Sequence, residues 1–354
     1  MLAADSKIVS TPVADTLRAR PALPWKQIID PVEPFLDAVN RRLSREVEAF
    51  DPELAPYADY ALNGQGKHLR PALVALTANA LGKYNDTHVT VAVIIEMVHL
   101  ATLVHDDVMD EAEIRRGQLT VAANWGNEIA VLFGDCLFAR ALALAASFPT
   151  TEVCRAVAQA TNTVCSGEIL QTQHRCDFEF TLKQYFRVLE MKTAELFALS
   201  CELSALLSGA SKERRATLRE FGLAFGTAYQ IYDDCLDVFG SEAMAGKSLG
   251  TDLAKGKLTL PVLLLLERAD LPDHSRVEGL IRTWQPTAMK PIAKLLAKYE
   301  TLEASLDKVG QYLDRSRRLI ATLPPSKGVS GLSALTDFLE TQAKGLGVIP
   351  ENSL

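Results

Sequence analysis

Two segments of the chain place aspartates in the pattern Asp-Asp-x-x-Asp: Asp106, Asp107 and Asp110 in the first, Asp233, Asp234 and Asp237 in the second. Residues three and four apart share a helix face, so Asp106 and Asp110 stand one above the other with Asp107 beside Asp110. Each run is then a carboxylate claw. Carboxylates this close repel one another, and they are rarely buried without compensating charge. Hard oxygen donors with an open coordination shell suit Mg²⁺, which takes one or two carboxylates, keeps waters and completes its octahedron with phosphate oxygens. A single copy would read equally well as a solvated acidic helix end. Two copies, each after an apolar stretch and each followed by basic residues, point to a divalent metal and a phosphorylated ligand.

The elements that carry the claws follow from the spacing around them. From about Ile28 onward, apolar residues recur every three or four positions, the period of a helix with one buried face. Breaks fall at Asp51-Pro52, Gly82–Asn85, Pro149-Thr150, Gly209–Lys212, Gly240–Gly250, Asp270–Asp273 and Pro324–Gly328, which delimits about ten helices. Ser211 is placed to cap one of them, and Pro71 stands in a first turn, where a missing N–H costs nothing. No segment alternates with period two, and no Pro/Gly/Ser-rich linker separates independent bodies. The expectation is an all-α, single-domain helical bundle over residues 26–354, with a flexible tail over residues 1–25. Both claws fall near the C-terminal end of their helix, where the peptide dipoles repel carboxylates and favour a bound cation. Helices so far apart in the chain can serve one ligand only if they lie side by side across a central cavity.

Composition narrows the function. Of 354 residues, 48% are hydrophobic, 23% charged and 7% aromatic, a balance suited to packed helices. The formal charge of -7 argues against a nucleic-acid partner, which needs clustered positive charge. The six cysteines (Cys136, Cys154, Cys165, Cys176, Cys201 and Cys235) contain no Cys-x-x-Cys pair and read as reduced, mostly buried thiols of a cytoplasmic protein. No stretch reads as an uninterrupted membrane span; residues 121–146 are broken by Asn124, Asn127, Glu128, Asp135 and Arg140 and are expected to be a buried helix at most. The first 25 residues hold Arg18 and Arg20 but also Asp5 and Asp15, and they lack the apolar core of a secretory signal.

The motifs around the claws are more specific. The first lies in Glu96-Met97-Val98-His99-Leu100-Ala101-Thr102-Leu103-Val104-His105-Asp106-Asp107 and runs on to Arg115-Arg116-Gly117. The second follows Tyr229-Gln230-Ile231-Tyr232 and continues through Gly246-Lys247 to Gly250-Thr251-Asp252-Leu253-Ala254-Lys255-Gly256-Lys257-Leu258-Thr259-Leu260-Pro261. With Gly66-Lys67-His68-Leu69-Arg70-Pro71 upstream and Lys192-Thr193-Ala194 between, the chain closely resembles the trans-polyprenyl diphosphate synthases from Gly64 to Pro261. That resemblance implies the isoprenoid-synthase helical fold and a prenyltransferase that joins isopentenyl diphosphate head to tail to a farnesyl or geranylgeranyl primer in E configuration. It further implies three Mg²⁺ ions, with Mn²⁺ as a substitute, and a homodimer. By the same match, Asp106, Asp107, Asp110 and Asp233 hold Mg²⁺, with Asp234 and Asp237 completing the second motif directly or through water. Arg115, Lys192, Lys247 and Lys257 face the allylic diphosphate, and Lys67, Arg70, His99 and Arg116 face that of isopentenyl diphosphate.

The chemistry can also be followed from the residues. An allylic C–O bond breaks heterolytically when its leaving diphosphate is neutralised by metal and basic side chains in a water-poor cavity. The resulting cation needs dipoles without a strong nucleophile, which suits Thr193, Gln230 and the helix carbonyls near Lys192. No His or Glu is placed as base for the final proton, so the departing diphosphate is the expected acceptor. His105 either orients a claw carboxylate or packs. His68 stands where many bacterial family members carry Arg, so a weaker hold on isopentenyl diphosphate is expected.

Within the resemblance, bulky residues one turn before the first claw would form the floor beneath the growing tail. Here Ala101 and Thr102 are small, and the next turn, about 5 Å deeper, holds Met97 and Val98. The expected product is therefore medium- to long-chain. Phe133 and Phe138 are equally readable as floor or as core. A long apolar product implies peripheral membrane contact for release. The rivals are a short-chain farnesyl or geranylgeranyl synthase, a class I terpene cyclase, and a non-catalytic regulatory subunit. The isopentenyl-site residues argue against the cyclase, and the two complete claws against the subunit.

Overall fold

The computed structural model describes residues 24–346 apart from 63–65, 67, 116 and 241–248. Most of the tail expected over residues 1–25 therefore lies outside the described residues, and helical structure begins at Trp25. The elements are α1 (Trp25–Ile29), α2 (Glu33–Glu48), α3 (Ala55–Leu62), α4 (Leu69–Leu81), α5 (Asp86–Met109), α6 (Val121–Trp125), α7 (Asn127–Ala146), α8 (Thr151–Gln173) and α9 (Leu182–Leu189). They continue as α10 (Glu195–Leu207), α11 (Lys212–Phe239), α12 (Thr251–Ala254), α13 (Leu260–Arg268), α14 (Leu271–Arg282), α15 (Met289–Lys298), α16 (Thr301–Ile320) and α17 (Lys327–Lys344). Strand pairing among the described residues is confined to β1 (Ile114–Arg115) and β2 (Gln118–Leu119). The all-α expectation holds, with more helices than the punctuation suggested. Short pieces such as α6 and α12 are below the length at which periodicity can be read.

The bundle is built around α5 and α11, the helices that end in the claws. α5 packs on α4, α7 and α10, and α11 on α10 and α16. Both begin with a side-chain cap. Asn85 accepts from the backbone N–H of Thr87 and His88, while His88 Nδ1 returns to the Asn85 N–H at 3.2 Å. The buried His88 ring also reaches the Ser204 carbonyl and Ser208 Oγ, which pins α5 to α10. Ser211 caps α11 by accepting from the Arg214 N–H, as its sequence position suggests. Each cap satisfies orphan donors at one end, and the length of each helix then delivers its claw to the other.

Between α9 and α10 the rod widens into a single π turn, Glu190–Ala194, which carries Lys192 and Thr193. Such a turn inserts one residue into the helical ladder and re-aims the side chains around it. Two glycines allow the neighbours to close on it. A Cβ at Gly167 in α8 would lie 2.7 Å from the Lys192 backbone nitrogen, and one at Gly226 in α11 would lie 2.8 Å from Ala194 Cα. The turn is thus wedged between two helix backbones.

Two expectations need correction. All six cysteines are free, but only Cys201 and Cys235 are fully buried, and Cys165 is exposed. The α8 face that carries Cys165 also exposes Ile169, so apolar neighbours in sequence did not imply burial. Secondly, α5 and α7 are both long and apolar enough to span a membrane by length and composition, because their few polar residues barely lower the mean hydropathy. α5 is largely buried in the core, but α7 is not simply a buried helix: Val131, Leu132 and Leu142 lie exposed along it.

The wedge around the π turn sets a prediction. Gly226→Ala gains up to ~1 kcal/mol of helix propensity but overpacks backbone against backbone at about 1–3 kcal/mol, so net destabilisation is expected. Urea unfolding should show a lower midpoint with the slope unchanged, and an equal or higher midpoint would mean that the turn is not wedged.

Candidate active site

In the first claw, each carboxylate meets a cation. Arg115, brought back by the β1–β2 hairpin, donates Nε to Asp107 Oδ1 at 2.7 Å. Asp110 accepts from Arg175 Nη2 on Oδ1 at 2.7 Å and from Lys257 Nζ on Oδ2 at 2.6 Å. Lys192 Nζ stands 3.6 Å from Asp106 Oδ2. The electrostatic consequences differ along the claw. Burial pushes the Asp106 carboxyl up to about 6 against the pull of Lys192. Burial would also raise Asp110, but Lys257, Lys192 and Arg175 outweigh it and hold that carboxyl below its ordinary value.

Asp234 and Asp237 of the second claw accept from neutral donors. Asp234 is buried, and accepts from Tyr185 Oη on Oδ2 at 2.6 Å and from Gln230 Nε2 on Oδ1 at 2.8 Å. Burial, with the Asp252 charge behind it, pushes its carboxyl up to about 8. Asp237 is fully buried, accepting from Thr251 Oγ1 at 2.8 Å and from the Asp252 N–H at 3.1 Å. Asp233 is the partly exposed member.

The π turn lies between the claws. Lys192 is paired with Glu168 and donates to Gln171 Oε1 at 2.9 Å. Burial lowers its ammonium pKa, but Asp106 and Glu168 together win and raise it. Thr193 Oγ1 donates to Gln230 Oε1 at 2.9 Å, and the Gln230 amide passes the chain on to Asp234. Lys192, Thr193, Gln230, Asp234, Asp252 and Lys257 all line one cleft. Lys192 and Lys257 reach from that cleft to the first claw, so both claws and the turn form one site.

Other sequence-selected residues are placed as follows. The Arg70 guanidinium lies 4.6 Å over the Phe197 ring, and His99 is half-buried on α5. His68 precedes α4 with φ 44° and its Nδ1 is 3.6 Å from Glu96 Oε2. Lys67, Arg116 and Lys247 lie outside the described residues. Met97, Val98 and Ala101 are buried, and Thr102 turns its hydroxyl back to the His99 carbonyl at 2.7 Å. Phe133 is buried in α7, whereas the half-buried Phe138 packs edge-on against His105. His105 Nε2 lies 3.0 Å from the Val131 carbonyl, so it packs α5 to α7 and its nearest acid is Asp135 rather than a claw carboxylate.

Among the described residues no three His, Cys, Asp or Glu side chains converge as a ready cage for an ion. Mg²⁺ needs no such cage, because it uses one or two carboxylates and takes phosphate oxygens for the rest. The donor set is hard oxygen, and the raised Asp106 carboxyl marks a desolvated anion that a cation would relieve. Sequence reasoning missed Glu168, Gln171, Arg175, Tyr185 and Asp252. Glu168 and Gln171 share a face of α8 at i, i+3 and could have been found by asking which helix covers Lys192. Tyr185 gave no signal, since an aromatic at helical spacing reads as core.

Residues 51–299 match the family model for polyprenyl synthetase. The heptaprenyl diphosphate synthase component 2 of Bacillus subtilis (strain 168) is 35% identical over 305 residues, 86% of this chain and 87% of that protein. The crystal structure of a decaprenyl diphosphate synthase from Rhodobacter capsulatus superimposes with a TM-score of 0.86 at 31% identity, covering 90% of this chain and 99% of that one. A polyprenyl synthase from Caulobacter crescentus CB15, complexed with calcium and isoprenyl diphosphate, gives 0.85 at 30% identity, covering 91% and 98%.

The buried Tyr185 hydroxyl carries the prediction from this geometry. Tyr185→Phe leaves Asp234 Oδ2 buried without its donor and is expected to cost about 1–3 kcal/mol of stability. Chemical denaturation measures it; a loss within error of zero would mean that Asp234 does not depend on this bond.

Proposed function

The chain belongs to the polyprenyl synthetase family, and from that membership and the site we infer that it is a prenyltransferase making a medium- to long-chain trans-polyprenyl diphosphate. It condenses isopentenyl diphosphate head to tail with an allylic primer. The observation that carries the site assignment is the convergence of Lys192 and Lys257 from one cleft onto the first claw, with the Thr193–Gln230–Asp234 chain beside them. Cations are stationed where a diphosphate would leave, and oriented dipoles where a carbocation would form.

In this reading Asp106, Asp107, Asp110 and Asp233 hold Mg²⁺, probed equally by Mn²⁺, and the metal supplies charge neutralisation of the leaving diphosphate. Asp234 and Asp237 keep the second motif in shape through Tyr185, Gln230, Thr251 and the Asp252 N–H. Arg115, Lys192 and Lys257 bind the allylic diphosphate with Lys247, and Arg70 and His99 bind isopentenyl diphosphate with Lys67 and Arg116. Because the Thr193 hydroxyl gives its proton to Gln230, its lone pairs are left to face positive charge developing on the allyl group. The half of Lys192 that is not on the diphosphate stays on Glu168 and Gln171, which hold it as a donor rather than a nucleophile. The departing diphosphate accepts the final proton.

Two further parts of the reading concern partners. The exposed Val131, Leu132 and Leu142 of α7 support a homodimer across that helix, since an apolar stripe of this kind is covered in a stable assembly. Release of a long apolar chain to a membrane surface follows from product chemistry.

The experiment is a product assay with Mg²⁺, labelled isopentenyl diphosphate and a farnesyl or geranylgeranyl primer, read by mass spectrometry after dephosphorylation. A ladder extending beyond geranylgeranyl is expected, and no incorporation with any primer would sink the assignment. In the same assay Ala101→Phe should shorten the ladder. Unchanged length would mean that the tail does not descend past α5 at that level.

A further inference from the structure

Arg175 lies outside every motif, on the loop between α8 and α9, yet it touches the first claw. Its Nη2 donates to Asp110 Oδ1 at 2.7 Å while Lys257 Nζ donates to Oδ2 at 2.6 Å. One carboxylate is thus held between two cations that come from distant segments of the chain.

Those segments are latched together. The Cys176 N–H donates to the Gly256 carbonyl at 2.8 Å. Arg175 directly precedes Cys176 and Lys257 directly follows Gly256, so a backbone hydrogen bond holds together the two segments from which these side chains extend. Both latch residues adopt left-handed backbone, with φ 54° at Cys176 and φ 69° at Gly256. That conformation is costly for a cysteine and persists only where the surroundings demand it. Gly256 is needed for a second reason: a Cβ there would stand 2.4 Å from Cys176 Sγ.

The guanidinium is also underused. Its Nε lies buried with no acceptor among the described residues, although a guanidinium carries five donors in a fork suited to phosphate oxygens. A buried donor without an acceptor is unfavourable, and an incoming anion would satisfy it.

We propose that Arg175 is a further cation of the allylic diphosphate subsite, paired with Lys257 by the Cys176–Gly256 latch, and that it passes from Asp110 to the diphosphate when substrate enters. This rests on the reading of the claws as a diphosphate site. The alternative is that Arg175 only neutralises Asp110. The two make opposite demands, because removing a mere neutraliser frees Asp110 and should leave binding unchanged or tighter.

The test is calorimetric titration of inorganic diphosphate, in excess Mg²⁺, into the full chain and into Arg175→Gln and Arg175→Lys. A charge-assisted pair lost from the subsite should weaken binding about tenfold or more in Arg175→Gln, with part recovered in Arg175→Lys. The KM for farnesyl diphosphate should rise while that for isopentenyl diphosphate stays put. The side chain is a quarter exposed on a loop, so both variants should fold, which a thermal melt checks. Gly256→Ala drives a Cβ into Cys176 Sγ and should weaken diphosphate binding in the same direction; unchanged binding there overturns the latch. Equal or tighter binding by Arg175→Gln overturns the role of Arg175. If the unsubstituted chain binds no diphosphate, the claw assignment fails first, and the proposal with it.

Discussion

Everything in this molecule is arranged around one electrostatic difficulty: six aspartates gathered at the ends of two apolar helices, where both desolvation and the helix dipole oppose them. The first claw answers with cations, Arg115, Arg175, Lys192 and Lys257, drawn from four different segments. The second answers with fixed neutral donors, Tyr185, Gln230, Thr251 and a backbone N–H.

In the proposed reading, substrate binding is an exchange of charges rather than the assembly of new ones. Each lysine or arginine already pays its desolvation in the resting state, where it rests on a carboxylate. In the proposed reading the claw carboxylates would hold the metal, and Arg115, Arg175, Lys192 and Lys257 would face the phosphate oxygens.

How far the sequence disclosed this depends on the kind of information each part requires. The claws were legible because three aspartates at i, i+1 and i+4 on an apolar helix have no common structural explanation when repeated. The helix caps at Asn85 and Ser211 obey local rules, and Ser211 was found that way. The π turn was not legible, since a single widened turn inside a helical stretch has no residue signature of its own. Its signs lie in Gly167 and Gly226, which become informative only once α8 and α11 are known to press on Ala194 and Lys192. Arg175 and Tyr185 were hidden for a related reason: their importance comes from partners far away in the chain, and single residues in a loop or an apolar face carry no spacing signal. The membrane-length apolarity of α7 was misjudged because scattered polar residues look disruptive in a string but barely lower the mean hydropathy of the helix.

The π turn carries two residues of the site: from it Lys192 stands 3.6 Å from Asp106, and Thr193 donates to Gln230 at 2.9 Å. A flexible loop could present the same two residues, but it would bring water and positional freedom into a site that must protect a carbocation. The widened turn is instead clamped between two glycine-faced helices. The cost is paid at Gly167 and Gly226, where no side chain can be accommodated without moving the turn.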